Sequence, residues 1–298
     1  MILKIKRNLP RRTAFILLIF FLGVFLFCLM QNPAYAAKEQ EQISTENRTY
    51  DVTRFKAPAG TKVLVVAEGF AVNGGKSTCK EGAVEDSSRW NKVRVTAYYR
   101  DNDSSAWTAG VQSAGVMGWN GMSSQRIPGN GETPIGFFQM NTPFGRRAAE
   151  EGFPSDYTEI MISSRNQYWS DTTNRLETNP AISAQNGERL WEDWAQGIYS
   201  YALDFGFNKD NANKDGSALF LHCTKEAKPS TAGCIAIDTD AMAAILKLYA
   251  KGNACIAISP AGQFDKVYDS WNETGKSPDG DFTNSVRQMD PVSTVILD

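Results

Sequence analysis

Hydrophobic and polar positions along this chain fall into short runs separated by glycine, proline and small polar residues, with one helical stretch late in the sequence. Residues 63–67 form an unbroken apolar run. At residues 93–99, Val93, Val95, Ala97 and Tyr99 fall on one face of an alternating pattern, and both stretches predict strands. Residues 73–88 between them, rich in Gly, Ser and charge, predict a loop. Residues 110–121 predict short strands joined by glycine turns, residues 128–131 a further turn, and residues 135–139 a strand. A short helix is predicted at residues 144–152, a long polar loop or lid at 163–186, and one or two helical turns at 188–194. At residues 198–207 the alternation is strict, and Tyr199, Tyr201, Leu203, Phe205 and Phe207 form a predicted core face of a strand. Met242, Ile245, Leu246 and Tyr249 then recur at helical spacing, with Asp238 or Thr239 as N-cap and Gly252 as stop. Residues 254–258 predict a last core strand. Short strands with frequent turns predict a mainly β (α+β) fold, a β-sandwich or barrel-like domain with a few short helices.

The N-terminus changes this picture. Residues 1–36 hold five basic residues and no acidic one, then an uncharged apolar run at 13–30, then Ala34-Tyr35-Ala36. This is the pattern of a secretory signal peptide with an A-x-A cleavage site; the alternative is an uncleaved membrane anchor, since about 18 apolar residues just span a bilayer. Either places the remainder outside the cytoplasmic membrane. Residues 37–58 read as a polar linker, 59–260 as one folded domain, and 261–298, rich in Asp, Gly, Asn and Ser, as a C-terminal extension of no assignable role. Of 31 basic residues, removal of those five leaves 26 against 33 acidic ones, a net charge of about −7. With no basic patch to neutralise phosphates, nucleic-acid binding is excluded.

Candidate chemistry concentrates in residues 216–237. His222 is the only histidine, and alternation puts Ala218, Phe220 and His222 on one strand face. Residues 223–233 predict a loop, and Cys234 opens a second apolar run, so thiol and imidazole are expected at the same end of two neighbouring strands, facing each other across about 5 Å. An adjacent imidazole stabilises a thiolate and makes a nucleophile of it. Gly233 permits backbone angles that a side chain resists, and the successive amides of Gly233 and Cys234 are candidate oxyanion donors. Ser230 and Thr231 are placed to hydrogen-bond near the sulfur, or simply to form the turn. The competing reading is a hydrogen-bonded strand-end histidine beside a buried free cysteine. Four cysteines follow the signal, Cys79, Cys223, Cys234 and Cys255, too few for a disulfide scaffold, with a Cys79–Cys255 or Cys79–Cys223 bridge left open. A zinc site from His222, Cys223, Cys234 and Cys255 lacks the closely spaced cysteine pair, so neither metal nor other cofactor is expected.

His222, eleven residues, then Cys234, the last of these eleven being Thr231-Ala232-Gly233 and the cysteine being followed by Ile235, resembles the motif of the L,D-transpeptidase (YkuD-like) catalytic domain. Gly131 to Phe138 (GETPIGFF) is similar to that family's T-P-x-G strand. Residues 115–121 (GVMGWNG) and Tyr168-Trp169-Ser170-Asp171 resemble the branch whose cysteine motif reads T-A-G-C. The resemblance covers roughly residues 60–260. It departs at Ala232, where many members carry a second histidine, and at Ala236, where many carry arginine or asparagine. It implies Cys234 as nucleophile, His222 as base then acid, the Cys223 carbonyl orienting the ring, and peptidoglycan stem peptides as partners. The implied reaction is formation of a cysteinyl acyl-enzyme from a tetrapeptide stem, resolved by a second stem's amine or, in an L,D-carboxypeptidase, by water. A sortase-like Cys/His transpeptidase and a catalytically inactive wall-binding module are the competing expectations.

Overall fold

A strand buried along its whole length must be covered on both faces, and β1 (Val63–Phe70) is such a strand. It belongs to a computed structural model that describes residues 48–70, 91–179, 187–212, 215–224, 230–283 and 289–297. The expected signal peptide, half of the linker and Cys79 lie outside the described residues.

β1 pairs antiparallel with β2 (Lys92–Tyr99), and β2 with β3 (Thr108–Val116). β3 is one nine-residue strand where short pieces were expected. Its glycines suit close packing rather than turns: a Cβ at Gly115 would lie 2.3 Å from the Ala236 carbonyl oxygen. β4 (Met122–Ser123) and β5 (Thr133–Pro134) form a two-stranded pair, followed by β6 (Gly136–Gln139), β7 (Pro143–Gly145) and β8 (Thr158–Glu159). β9 (Gln167–Ser170) lies between β10 (Leu176–Thr178) and β11 (Gly187–Glu188) in a small separate sheet. Then come β12 (Ala202–Asp204), β13 (Phe220–Cys223), β14 (Ile235–Ile237), helix α1 (Thr239–Tyr249), β15 (Ala254–Pro260) and β16 (Val295–Ile296). The main sheet is mixed and curled, in the order β6-β15-β1-β2-β3-β14-β13-β12-β7-β8, with β16 also on β3. The fold is thus mainly β (α+β), as expected, and α1 is the only α-helix among the described residues.

α1 forms where the spacing placed it. Asp238 caps it by accepting from the amides of Asp240 (2.9 Å) and Ala241 (3.3 Å), worth about 1 kcal/mol. Met242, Ile245 and Leu246 are fully buried, and the helix packs on β13 and β3, each large side chain contributing roughly 1.5–3 kcal/mol.

Several local expectations fail for identifiable reasons. The helix expected at 144–152 is strand β7 and turns, because Phe144, fully buried, pairs with Ala202 and packs on Phe220. The loop expected at 163–186 contains β9 and β10: Trp169 anchors it in the core, and its indole donates to Asn174 (2.7 Å). The helical turns expected at 188–194 reduce to one 3-10 turn at Asp193–Ala195. Only three residues of the predicted strand at 198–207 pair in a ladder, and residues 198–207 are buried on both faces rather than one. The linker was expected to run to residue 58, yet Phe55 packs edge-on against Phe137 and Tyr268, and Thr49 donates from its amide (2.9 Å) and hydroxyl (2.6 Å) to the buried Glu68 carboxylate. The C-terminal extension is likewise part of the domain, with Phe264 and Val267 in the core and β16 on the sheet.

Candidate active site

β13 and β14 are neighbours, as the sequence suggested, but they run parallel. His222 is the penultimate residue of one strand while Cys234 precedes the start of the next, and the two are not directly opposite. The register pairs His222 with Ala236 and Leu221 with Ile235, which sets Cys234 against Phe220. Base and sulfur thus share a sheet face one diagonal step apart, a spacing of roughly 7–8 Å, somewhat less between Cβ atoms, that two side chains leaning together can bridge. Both line one cleft of about 1030 Å³, together with Ala218, Tyr199, Trp194, Ser230, Thr231 and Arg126.

The strand expected from Ser217 begins only at Phe220, because Ala218 takes a left-handed conformation (φ 55°). That kink has a local effect. The Ala218 carbonyl comes 3.5 Å from Cys234 Sγ, and the Phe220 amide donates to the same sulfur at 3.4 Å. Cys234 is 8% exposed, enough for a reagent entering from the cleft.

His222 Nδ1 lies 2.8 Å from the Cys223 carbonyl oxygen. A carbonyl only accepts, so Nδ1 carries the proton and Nε2 is the basic nitrogen of the neutral ring. Tyr199 packs edge-on against the imidazole at 5.4 Å, and its hydroxyl donates to Glu188 (2.7 Å). The ring is thus held by a hydrogen bond on one side and an aromatic wall on another.

The turn before the sulfur is built from the other segments of the family resemblance. Thr231 Oγ1 accepts from the Gly233 amide (3.1 Å) and donates to the Cys234 carbonyl (2.6 Å). Its backbone bridges to the 117–119 segment, with Thr231 N–H on the Met117 carbonyl and Trp119 N–H on the Thr231 carbonyl, both 3.0 Å. Gly118 in turn donates to Thr133 Oγ1 (2.9 Å). Thr231 is therefore a turn former. The Gly233 amide, expected as an oxyanion donor, is already committed to it. Ser230 lines the cleft and makes no side-chain hydrogen bond among the described residues. Gly233 has φ 139°, and a Cβ there would fall 2.8 Å from the Glu132 carbonyl oxygen, so no larger residue fits.

The other two described cysteines differ sharply. Cys223 and Cys255 are free, fully buried thiols, and burial pushes them up to about 11 and about 12. Both are free where a bridge to Cys79 had been left open. Among the described residues no three His, Cys, Asp or Glu side chains are grouped to hold a metal ion.

Sequence reasoning missed Arg126. It is 7% exposed, its Nε donates to the Glu132 carbonyl (2.8 Å) and its Nη1 to the Asp215 carbonyl (2.6 Å), against the turn that carries Cys234. The available signal was its isolation, as the only charged residue between Asp103 and Glu132.

No family model and no curated protein matches this chain. Among solved structures it is similar to the crystal structure of the helical cell shape determining protein Pgp2 from Campylobacter jejuni, with 13% identity and a TM-score of 0.32 over 76% of this chain. This chain spans 55% of that structure's length.

Proposed function

We propose that this protein is a cysteine-dependent acyl transferase of the cell envelope, acting on peptidoglycan stem peptides from outside the cytoplasmic membrane. One observation carries the reading: a sulfur that accepts a backbone amide and an imidazole with its Nδ1 fixed by a carbonyl line the same cleft from adjacent strands. His222 Nε2 takes the Cys234 thiol proton, and the sulfur attacks the carbonyl of the stem's diamino acid. As the tetrahedral adduct collapses, the amide C–N bond breaks, His222 returns the proton to the leaving nitrogen, and D-alanine departs. A second stem's amine then attacks the thioester, the C–S bond breaks, and the proton returns through His222 to the sulfur. Water in place of the amine makes the product a shortened stem. With Gly233 N–H occupied, oxyanion stabilisation falls to other donors in the cleft.

The test is mass spectrometry of stem tetrapeptides incubated with the protein and an acceptor amine. Exchange or loss of the terminal residue is expected, abolished in Cys234→Ala and slowed about 100-fold in His222→Ala. A carbapenem, whose strained lactam mimics the stem carbonyl, should add stoichiometrically to the peptide containing Cys234, more slowly as pH falls and His222 protonates. Neither turnover nor adduct in folded, reduced protein would favour a wall-binding module instead.

A further inference from the structure

Arg126 lies in the cleft and has no part in the chemistry above. A guanidinium taken out of water needs hydrogen bonds and an opposing charge. Its bonds to the Glu132 and Asp215 carbonyls supply the first, the carboxylates of the same two residues act on it without a hydrogen bond, and Nη2 makes no hydrogen bond among the described residues. Glycine backbone leaves room for the group: a Cβ would come within 2.3 Å of Nη1 at Gly216 and within 3.3 Å of Nε at Gly233. Burial lowers its pKa, and Cys234, Glu132 and Asp215, in that order, act against the shift. The carboxylates that line the cleft, Asp171 and Glu188, accept from the Ser217 and Tyr199 hydroxyls and disfavour an anion on their side.

We propose that Arg126 is the anion anchor of this cleft, binding a carboxylate of the ligand through its free Nη2 beside Cys234. The acyl donor is then a peptide with a free carboxylate close to the carbonyl under attack, and its amidated form is a poor ligand. Only the naming of a peptide donor rests on the function proposed above; the anchor itself is a property of the cleft.

Haloacids test it without any assumption about substrate. Iodoacetate and iodoacetamide differ by one charge, and 3-bromopropionate and its amide repeat the comparison at a longer reach. In the wild-type protein the acid-to-amide rate ratio at Cys234 should exceed that of free cysteine by about 10-fold or more, the scale of one charge-assisted hydrogen bond. Arg126→Gln should return it to the free-cysteine value, and Arg126→Lys should keep part of it. A wild-type ratio no higher than that of free cysteine at both lengths overturns the anchor, and that measurement needs no variant to fold. An elevated ratio that survives in Arg126→Gln also overturns it. So does a variant whose amide rate falls at every pH while the ratio stays unchanged, which would make Arg126 a counter-ion of the thiolate. An elevated ratio without turnover of any stem peptide would keep the anchor and reject the peptidoglycan reading.

Discussion

Replacing Thr231 with valine keeps the shape and β-branching of the side chain and removes its hydroxyl. Two backbone groups at the nucleophile's turn then lose their partners, the Gly233 amide and the Cys234 carbonyl. The backbone bonds from Thr231 to Met117 and Trp119 remain, so the segment stays in place. Each lost bond is worth about 1 kcal/mol when water can substitute and up to about 3 when it cannot. Gly233 and Cys234 are buried and Thr231 is half-buried, which puts the loss at about 2–4 kcal/mol. For a domain of this size that is a fall in Tm of roughly 4–16 °C by calorimetry. Loosening the turn also moves the sulfur away from the Phe220 amide, and alkylation of Cys234 by iodoacetamide should slow by about 10-fold or more. Thr231→Ser restores both bonds and should recover most of both losses. A valine variant within about 1 °C of wild type, labelled at the wild-type rate, would show that the hydroxyl does not hold the turn.

Other expectations are more quickly stated. At pH 8, iodoacetamide on the native protein should modify Cys234 and spare Cys223 and Cys255, whose buried thiols are pushed up to about 11 and about 12; peptide mapping showing equal labelling would contradict the burial. Burial raises the Asp204 carboxyl from 3.8 to about 7, so the folded state holds a proton there that the unfolded chain has released. Its contribution is therefore full below about pH 4 and lost as pH rises through about 7, and Asp204→Asn should flatten that part of a Tm-against-pH curve, gaining on wild type above neutrality. Glu68, fully buried, faces Arg94 across the β1–β2 ladder and receives its Nε–H at 2.9 Å. Glu68→Ala removes this carboxylate from Arg94 and releases Thr49, a loss of about 3–5 kcal/mol in urea denaturation; a change under about 1 would mean the pair is solvated.

The β1 and β2 strands and the α1 helix were legible in the sequence because each carries a one-dimensional signal that tertiary packing reinforces: an apolar run, an alternation, a capped 3.6-residue period. Residues 198–207 show why alternation also misleads. Their small and polar positions, Ser200, Ala202 and Asp204, are as buried as the aromatic ones, since the segment lies inside the domain instead of on one face of it. The polar stretch around Trp169 hid a sheet because Tyr168 and Thr173 both donate to Glu177, so its polar groups satisfy one another without water. At the site, the residue types and their order pointed to Cys234 and His222. The direction of β14 was not in the pattern, since a parallel and an antiparallel neighbour show the same apolar run. Arg126 left only its isolation as a signal, for a related reason. Its partners are main-chain carbonyls, and a backbone acceptor leaves no trace in residue identity.

The placement of β15 bears on how the chain is made. It lies one strand in from an edge of the main sheet, parallel to β1 on one side and antiparallel to the edge strand β6 on the other, although almost two hundred residues separate it from β1 in sequence. Until residue 260 has been synthesised, β1 and β6 each present an unpaired hydrophobic edge, the kind of surface that templates aggregation. Contacts so distant in sequence also make for slow folding, with few local stopping points on the way. A chain cut short before β15 is therefore expected to leave an open, sticky sheet, and the cleft, with its sulfur on β14's approach and its base on β13, would be a late product of folding.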